Sequence, residues 1–460
     1  MILFSNLLTK LKGKLLSDGT SKGIAALFTG AATSQLILFA AMPILTRLYS
    51  PADFNILATF VGILTIISVG ACLRLEVAIP LPRRDEHAAI LFLLSICISI
   101  FFSILVFIGI FFLRKSIDVY FGESVYPYFQ WLLPFGCFSL SIFSILSHWN
   151  TRKKRFVLAA KVKVSQSVSS VVLQVIFGII NFKFFGLLIG QIAYSSMGVV
   201  GLYRRLIKED ISAFRKVNRK KYFPILKKYK KFIYLSTSES VLNIAAVQLP
   251  LIIIASITIG SEAGYLLLAM KLMQVPLSLF GSSVAQVFYA NASKESSENN
   301  LGHYTSDIVL RLFKLGVGPI IFAGIASPYA SAIFLGEEWR RVGEIIQWMV
   351  PWFIMQFLSS PISTVMYVTN KQNKLLKLTI FSFVLRVGTV ILFTNYIPTL
   401  TTEAFAVSGF LFYLLCFIVF IKSASVSLKK LAFSFFCQLH IILFWSVLGL
   451  VVIGVGQWLK

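Results

Sequence analysis

The sequence predicts an all-α, polytopic membrane protein, with 12 core transmembrane helices in two pseudo-symmetric six-helix lobes and a 13th helix near its end. Three observations carry that expectation. The first is composition: 57% of the 460 residues are hydrophobic and 13% are charged, against about 25% charged in soluble domains. The second is the recurrence of apolar runs of roughly 20 residues, the length needed to cross ~30 Å of hydrocarbon. The third is a one-sided distribution of lysine and arginine among the loops between those runs.

The runs fall at 24–46, 54–79, 88–113, 128–150, 157–181, 184–203, 236–258, 264–290, 308–335, 345–368, 375–394, 402–422 and 433–456. The first follows Lys10, Lys12, Lys14 and Lys22 and could pass for a secretory signal. It is longer than the ~7–15-residue core of one, and Arg47-Leu48-Tyr49-Ser50-Pro51 follows it in place of a cleavage site. With the N-terminus placed in the cytoplasm, the inside loops carry 32 Lys and Arg, the outside loops 7, and the helices 4. One missed or invented early span would invert every later loop and erase that bias. The expected organisation is an interfacial amphipathic helix at 1–23, a first lobe at 24–203, a basic cytoplasmic linker at 204–235, a second lobe at 236–422 and the extra helix at 433–456.

Two traces of internal duplication support paired lobes. Gln130-Trp131-Leu132-Leu133-Pro134 opens the fourth run and Gln347-Trp348-Met349-Val350-Pro351 opens the tenth, an offset of 217 residues. Pro43 and Pro250 precede equivalent outward turns. Six-helix lobes of like orientation can enclose a cavity that opens alternately to each side, which is transporter architecture.

An ionisable side chain at mid-membrane depth costs ~2.5–3.5 kcal/mol even on the gentler scale, so each should face protein or water. Lys271 sits inside the eighth run, where it either lines a cavity or pairs with Glu239 or another acid. Arg386 lies in the middle of the eleventh run, with cavity and structural readings both open. Arg74 and Glu76 close the second run, where snorkelling or mutual pairing competes with a functional role. Arg47 ends the first run as an interfacial anchor or an exit contact. Glu239 opens the seventh run beside several hydroxyls, as a helix-start carboxylate or a coupling-ion ligand. A chamber with fixed positive charge and few acids attracts anions, and phosphate is the usual partner of Lys and Arg.

Other classes are disfavoured. The net charge of +25 sits in short loops, with no soluble domain to hold nucleic acid, and reads as topology plus attraction to anionic lipids. The 5 cysteines and 4 histidines are scattered without metal-ligand spacing, so neither metal nor cofactor is expected. No catalytic residues are assigned, because no triad, phosphate loop or paired carboxylates appear.

The stretches Leu45-Thr46-Arg47-Leu48-Tyr49-Ser50-Pro51-Ala52-Asp53-Phe54 and Leu73-Arg74-Leu75-Glu76-Val77-Ala78-Ile79-Pro80 resemble the opening of Wzx-type bacterial polysaccharide flippases. Ala263-Gly264-Tyr265, Lys271, Pro276-Leu277-Ser278, Gly281-Ser282-Ser283 and Val287-Phe288-Tyr289 resemble that family's eighth helix. The family shares a superfamily with multidrug exporters of the MATE class and peptidoglycan lipid flippases. The resemblance implies a MATE-like two-lobe fold in the bacterial inner membrane. It also implies an undecaprenyl-pyrophosphate-linked oligosaccharide as substrate, and a polysaccharide polymerase and chain-length regulator as partners. Where relatives often carry Arg in helix 8 this chain has Lys271, which keeps the charge and loses bidentate geometry. A MATE-like drug antiporter is the first rival, but the first run lacks the acid it should carry. A polytopic polymerase is the second, but the longest outward loop, 114–127, is too short to hold much chemistry.

The alternation is checkable with topology reporters. One fused after Lys208 should score cytoplasmic and one after Gly122 periplasmic; reversal of either breaks the map.

Overall fold

The computed structural model describes residues 19–121, 125–215, 217–257, 260–277, 300–369 and 371–458, and, between 278 and 299, residues 281, 284, 285, 288, 291, 292, 295, 296 and 298. Residues 1–18 of the expected interfacial helix, Gly122, and Ser278, Ser282, Ser283, Val287 and Tyr289 of the family-like stretch lie outside the described residues. Among the described residues, 11 helices are long and apolar enough to cross a membrane, and a bent pair would make 12. No strand occurs among them. Helices satisfy every backbone group internally, which hydrocarbon demands.

In chain order the elements are α1 (Gly19–Leu48), α2 (Pro51–Gly70), α3 (Leu75–Ala78), α4 (Asp85–Phe112), α5 (Arg114–Phe121), α6 (Tyr126–Arg152), α7 (Phe156–Ile179), α8 (Lys183–Arg215), α9 (Tyr222–Lys228) and α10 (Thr237–Ile257). They continue with α11 (Glu262–Pro276), α12 (Leu301–Leu312), α13 (Gly318–Leu335), α14 (Arg340–Ser359), α15 (Val365–Val368), α16 (Gln372–Tyr396), α17 (Thr401–Ser423), α18 (Leu428–Phe436) and α19 (Leu439–Trp458). The chain divides into two units, Met1–Ala41 with Leu64–Val241, and Met42–Ile63 with Leu242–Lys460.

In the first unit α7 and α8 form the most closely packed pair. Gly190 lies against Gln174, and a Cβ at Gly198 would stand 2.7 Å from Val162 and from Phe143. Small residues of this kind let membrane helices approach closely. One end of the unit is closed by a buried cluster in which Trp149 meets Phe92 at 5.7 Å and Phe214 at 5.0 Å between ring centroids. Leu75, Ala78 and Ile79 join the same cluster.

In the second unit Trp339, 1% exposed, lies just before the start of α14. Its ring stands 5.0 Å from Phe54 and 5.8 Å from Tyr265, and its indole N–H donates to the Thr46 carbonyl at 3.0 Å. The C-terminus of α1 and the N-termini of α2, α11 and α14 therefore share one level, as the alternating map requires. Gly264 fits α11 against α2 backbone, where a Cβ would come 2.6 Å from the Pro51 carbonyl oxygen. Gly343 does the same for α14 on α13, at 2.3 Å from Pro328, and Ser327 Oγ donates across to the Gly343 carbonyl at 2.8 Å.

Four boundaries differ from the sequence expectation. The second span ends at Gly70 rather than 79, because Leu73 and Arg74 take left-handed backbone (φ 49° and 56°) before the buried turn α3. The sixth span runs on to Arg215, so the first third of the basic stretch continues a membrane helix. The ninth is interrupted by a π-helical turn at Phe313–Val317. The last is bent by 46° between Leu428–Phe436 and Leu439–Gly454.

The Gly264 contact has a direct consequence. Gly264→Val, which sets branched carbons against rigid backbone, should destabilise the protein by about 1–3 kcal/mol, read as a lowered Tm of purified protein, whereas Gly281→Ala, with nothing within 4 Å of its Cβ position, should leave Tm unchanged.

Candidate functional site

The sequence-selected residues fall into three environments. Arg74 and Glu76 of the first unit are brought together at the break after α2. Arg74 Nη1 lies 3.8 Å from Glu76 Oε1, and the carboxyl is buried while the guanidinium is about one-third exposed. The pairing is incomplete: Arg74 Nε and Glu76 Oε2 are buried without a hydrogen-bond partner. Non-glycine residues in left-handed backbone and irregular backbone at membrane depth are both features that cluster at functional positions. Glu239, in the first turn of α10, is half-buried and makes no ion pair among the described residues.

In the second unit Arg47 occupies the last turn of α1, exposed and without an ion pair. Lys271 stands on α11 one turn before its described end, half-buried between Met270 and Leu272. Among the described residues it has neither a hydrogen bond nor an ion pair. Ala269 and Met273 on the same helix are buried in the unit.

Arg386 occupies a different setting. It is 1% exposed on α16, and its guanidinium carbon lies over the rings of Trp352 at 4.8 Å, Phe412 at 5.0 Å and Tyr413 at 5.5 Å. The structure places it inside packed rings rather than at an open wall.

Sequence reasoning missed two ion networks, one in each unit. In the first, Asp85 at the start of α4 receives Arg152 and Lys153, both at 2.8 Å. Arg152 also donates to the carbonyls of Pro80, Pro82 and Arg83. Asp210 on α8 is buried among Arg155 at 2.6 Å, Lys153 at 3.7 Å and the Trp149 indole N–H at 3.0 Å. The network fixes the loop ends of α4, α6, α7 and α8 to one another. A signal was present: Glu209 and Asp210 are the only acids in the otherwise basic stretch from Arg204 to Lys231. In the second unit Arg341 on α14 joins Glu262 of α11 at 3.0 Å, Glu344 at 3.2 Å and Glu403 of α17, while Thr402 donates to Glu262 at 3.0 Å.

Comparison with known proteins gives the class first. The fold matches the lipid II flippase MurJ in an inward closed conformation, with a TM-score of 0.71 at 14% identity, covering 94% of this chain and 92% of that one. It also matches an inward-facing multidrug resistance MATE transporter of the MOP superfamily, with a TM-score of 0.56 at 16% identity over 87% and 94%. A third match is a MOP superfamily transporter from Pyrococcus furiosus, described as having a binding pocket of reversed polarity, with a TM-score of 0.55 at 15% identity over 90% and 98%. The chain is thus a multi-pass membrane protein with the fold of MOP superfamily transporters. No protein with a curated description matches the sequence. Residues 44–344, more than half of the chain, match the polysaccharide biosynthesis protein family, and the chain belongs to it. That span contains all of the stretches on which the flippase resemblance rests.

The networks differ in what their loss should cost. Asp210→Ala removes the buried acceptor of the Trp149 indole and of Arg155, while Arg155 keeps Glu209 and Lys153 keeps Asp85, and should destabilise the first unit by about 1–3 kcal/mol. Arg205→Ala removes a half-exposed partner of Glu209 and should cost under ~1 kcal/mol. Thermal unfolding of the two variants in one detergent checks the contrast.

Proposed function

We propose that this protein is a flippase that carries an undecaprenyl-pyrophosphate-linked oligosaccharide repeat unit, of O-antigen, capsule or exopolysaccharide, from the cytoplasmic to the periplasmic leaflet of the bacterial inner membrane by alternating access. The reading is supported by membership of a polysaccharide biosynthesis family and by the MOP fold. The observation that carries it is Lys271, a half-buried cation on a membrane helix with no counter-charge among the described residues.

The physical logic is that of a substrate with two solvents. A pyrophosphate and its sugar hydroxyls cannot cross hydrocarbon unaided, whereas the polyprenyl tail need never leave it. The protein therefore has to hold only the headgroup, and a fixed ammonium meets phosphate as a point charge without demanding bidentate geometry. Lys271 is the headgroup contact in this reading, and Arg47, exposed at the end of α1, meets the headgroup on its way out. Arg74 with Glu76, and Glu239, are the groups from which coupling to an ion gradient would be drawn. The halves are residues 24–203 and 236–422, the N-terminus is cytoplasmic, and the delivered unit passes to a polysaccharide polymerase and its chain-length regulator. No covalent bond changes, so no catalytic residue is needed. A drug-cation antiporter is disfavoured because α1 carries no acidic residue.

Lys271→Ala at native expression should remain in the membrane and abolish export of the lipid-linked unit, while Lys271→Arg should retain it. Export is read as surface polysaccharide together with accumulation of the lipid-linked precursor. Normal surface polysaccharide in the alanine variant would overturn the assignment.

A further inference from the structure

Arg386 is a buried cation whose donors outnumber its acceptors. A guanidinium carries five N–H bonds and no acceptor. Its Nε and Nη2 are buried with no hydrogen-bond partner, and so is the indole Nε1 of Trp352, whose ring lies 4.8 Å from the guanidinium carbon. The Tyr413 hydroxyl meets the guanidinium through a side-chain hydrogen bond, while one N–H on Nε, two on Nη2 and one on the indole remain in the same cluster without a partner.

The helices that form this cluster bring no counter-charge to it. Among the described residues α16 contains no acidic residue at all. The only acid of α17 is Glu403, nine residues before Phe412 and so ~13 Å along the axis, and it already meets Arg341. The only acid of α14 is Glu344, eight residues before Trp352 and ~12 Å away, and it too is engaged by Arg341. Three aromatic faces attract the guanidinium. They do not neutralise its charge, and the Tyr413 hydroxyl bound to the guanidinium leaves Nε and Nη2 unpartnered.

From this arrangement we infer a small-anion site inside the second unit, in which Arg386 Nε and Nη2 and Trp352 Nε1 hold a monovalent inorganic anion of the halide class. Size and access select the class. Arg386 is 1% exposed and ringed by Trp352, Phe412 and Tyr413, so a pyrophosphate bearing a sugar cannot reach it, whereas a halide carries one charge, accepts several N–H groups at once and needs little room. The site is separate from the Lys271 headgroup contact: it lies on α14, α16 and α17, and Lys271 lies on α11. Its role is to neutralise a fixed cation where α14, α16 and α17 pack together.

The test uses the purified full-length protein in detergent, titrated with sodium chloride or sodium bromide against sodium gluconate at constant ionic strength. The wild type should show a saturable rise in Tm with either halide and none with gluconate. Trp352→Phe keeps the aromatic face and removes one donor, and should need about tenfold more halide for half-saturation. Arg386→Met should lose the halide dependence altogether. Because that variant could fail to fold, Trp352→Phe decides the matter alone: an unshifted half-saturation point overturns the assignment. Equal Tm in halide and gluconate for the wild type, or a halide response retained by Arg386→Met, overturns it as well. Export activity plays no part in this readout, so a failure here leaves the Lys271 reading untouched, and a failure of export by Lys271→Ala leaves this one untouched.

Discussion

Hydrocarbon offers a backbone amide no partner except another backbone group, and it offers a charge none at all. Both halves of that constraint shape this chain. The first turns nearly every described residue into helix. The second drives ionised side chains to helix ends, where they meet one another as Asp85 meets Arg152 and Lys153, and as Arg341 meets Glu262, Glu344 and Glu403. These clusters do more than dispose of charge. Each ties the ends of helices that are far apart in sequence, so the loops connecting them need little structure of their own. Each unit also carries an aromatic plug beside its own tied ends, Trp149 in the first and Trp339 in the second. Both send an indole N–H to an oxygen at 3.0 Å, one to Asp210 and one to the Thr46 carbonyl.

Against that background the few ionisable groups away from the ends acquire meaning. Glu76 reaches its position only because the second span stops at Gly70 and the chain turns through two left-handed residues. A continuous helix would have carried it further along the axis. The break costs two strained residues and leaves polar atoms half-satisfied, a combination the constraint ordinarily removes.

The spans were legible in the sequence because their signal is additive: twenty apolar residues outweigh any one polar side chain, and the lysine and arginine bias tests the whole alternation at once. The proline-bearing repeats were legible too. Pro134 and Pro351 both sit inside helices, and the tryptophans three residues before each, Trp131 and Trp348, are both exposed where aromatic side chains suit an interface. What stayed hidden depends on pairing over distance. Gly70 ends the span three residues before Leu73, but a single glycine is ordinary inside a membrane helix, and Leu73 and Arg74 themselves carry no signal for left-handed backbone. Arg341 meets acids 79 and 62 residues away, and the rings around Arg386 come from two other helices. Periodicity within one helix carries no information about such partners.

Lys271 and Arg386 show how far residue type alone falls short. Both are single cations in apolar helices, and sequence treats them alike. Lys271 ends in a compact, strongly hydrated ammonium on a flexible stem, and it is only half-buried. In the proposed reading it exchanges water for a phosphate oxygen and back within one cycle. Arg386 ends in a planar, weakly hydrated guanidinium clasped by three rings, a geometry that suits a permanent charge and cannot release and recapture a bulky headgroup at every turnover. What distinguishes the two cations is the packing around them, and for Arg386 that packing comes from helices to which it does not belong.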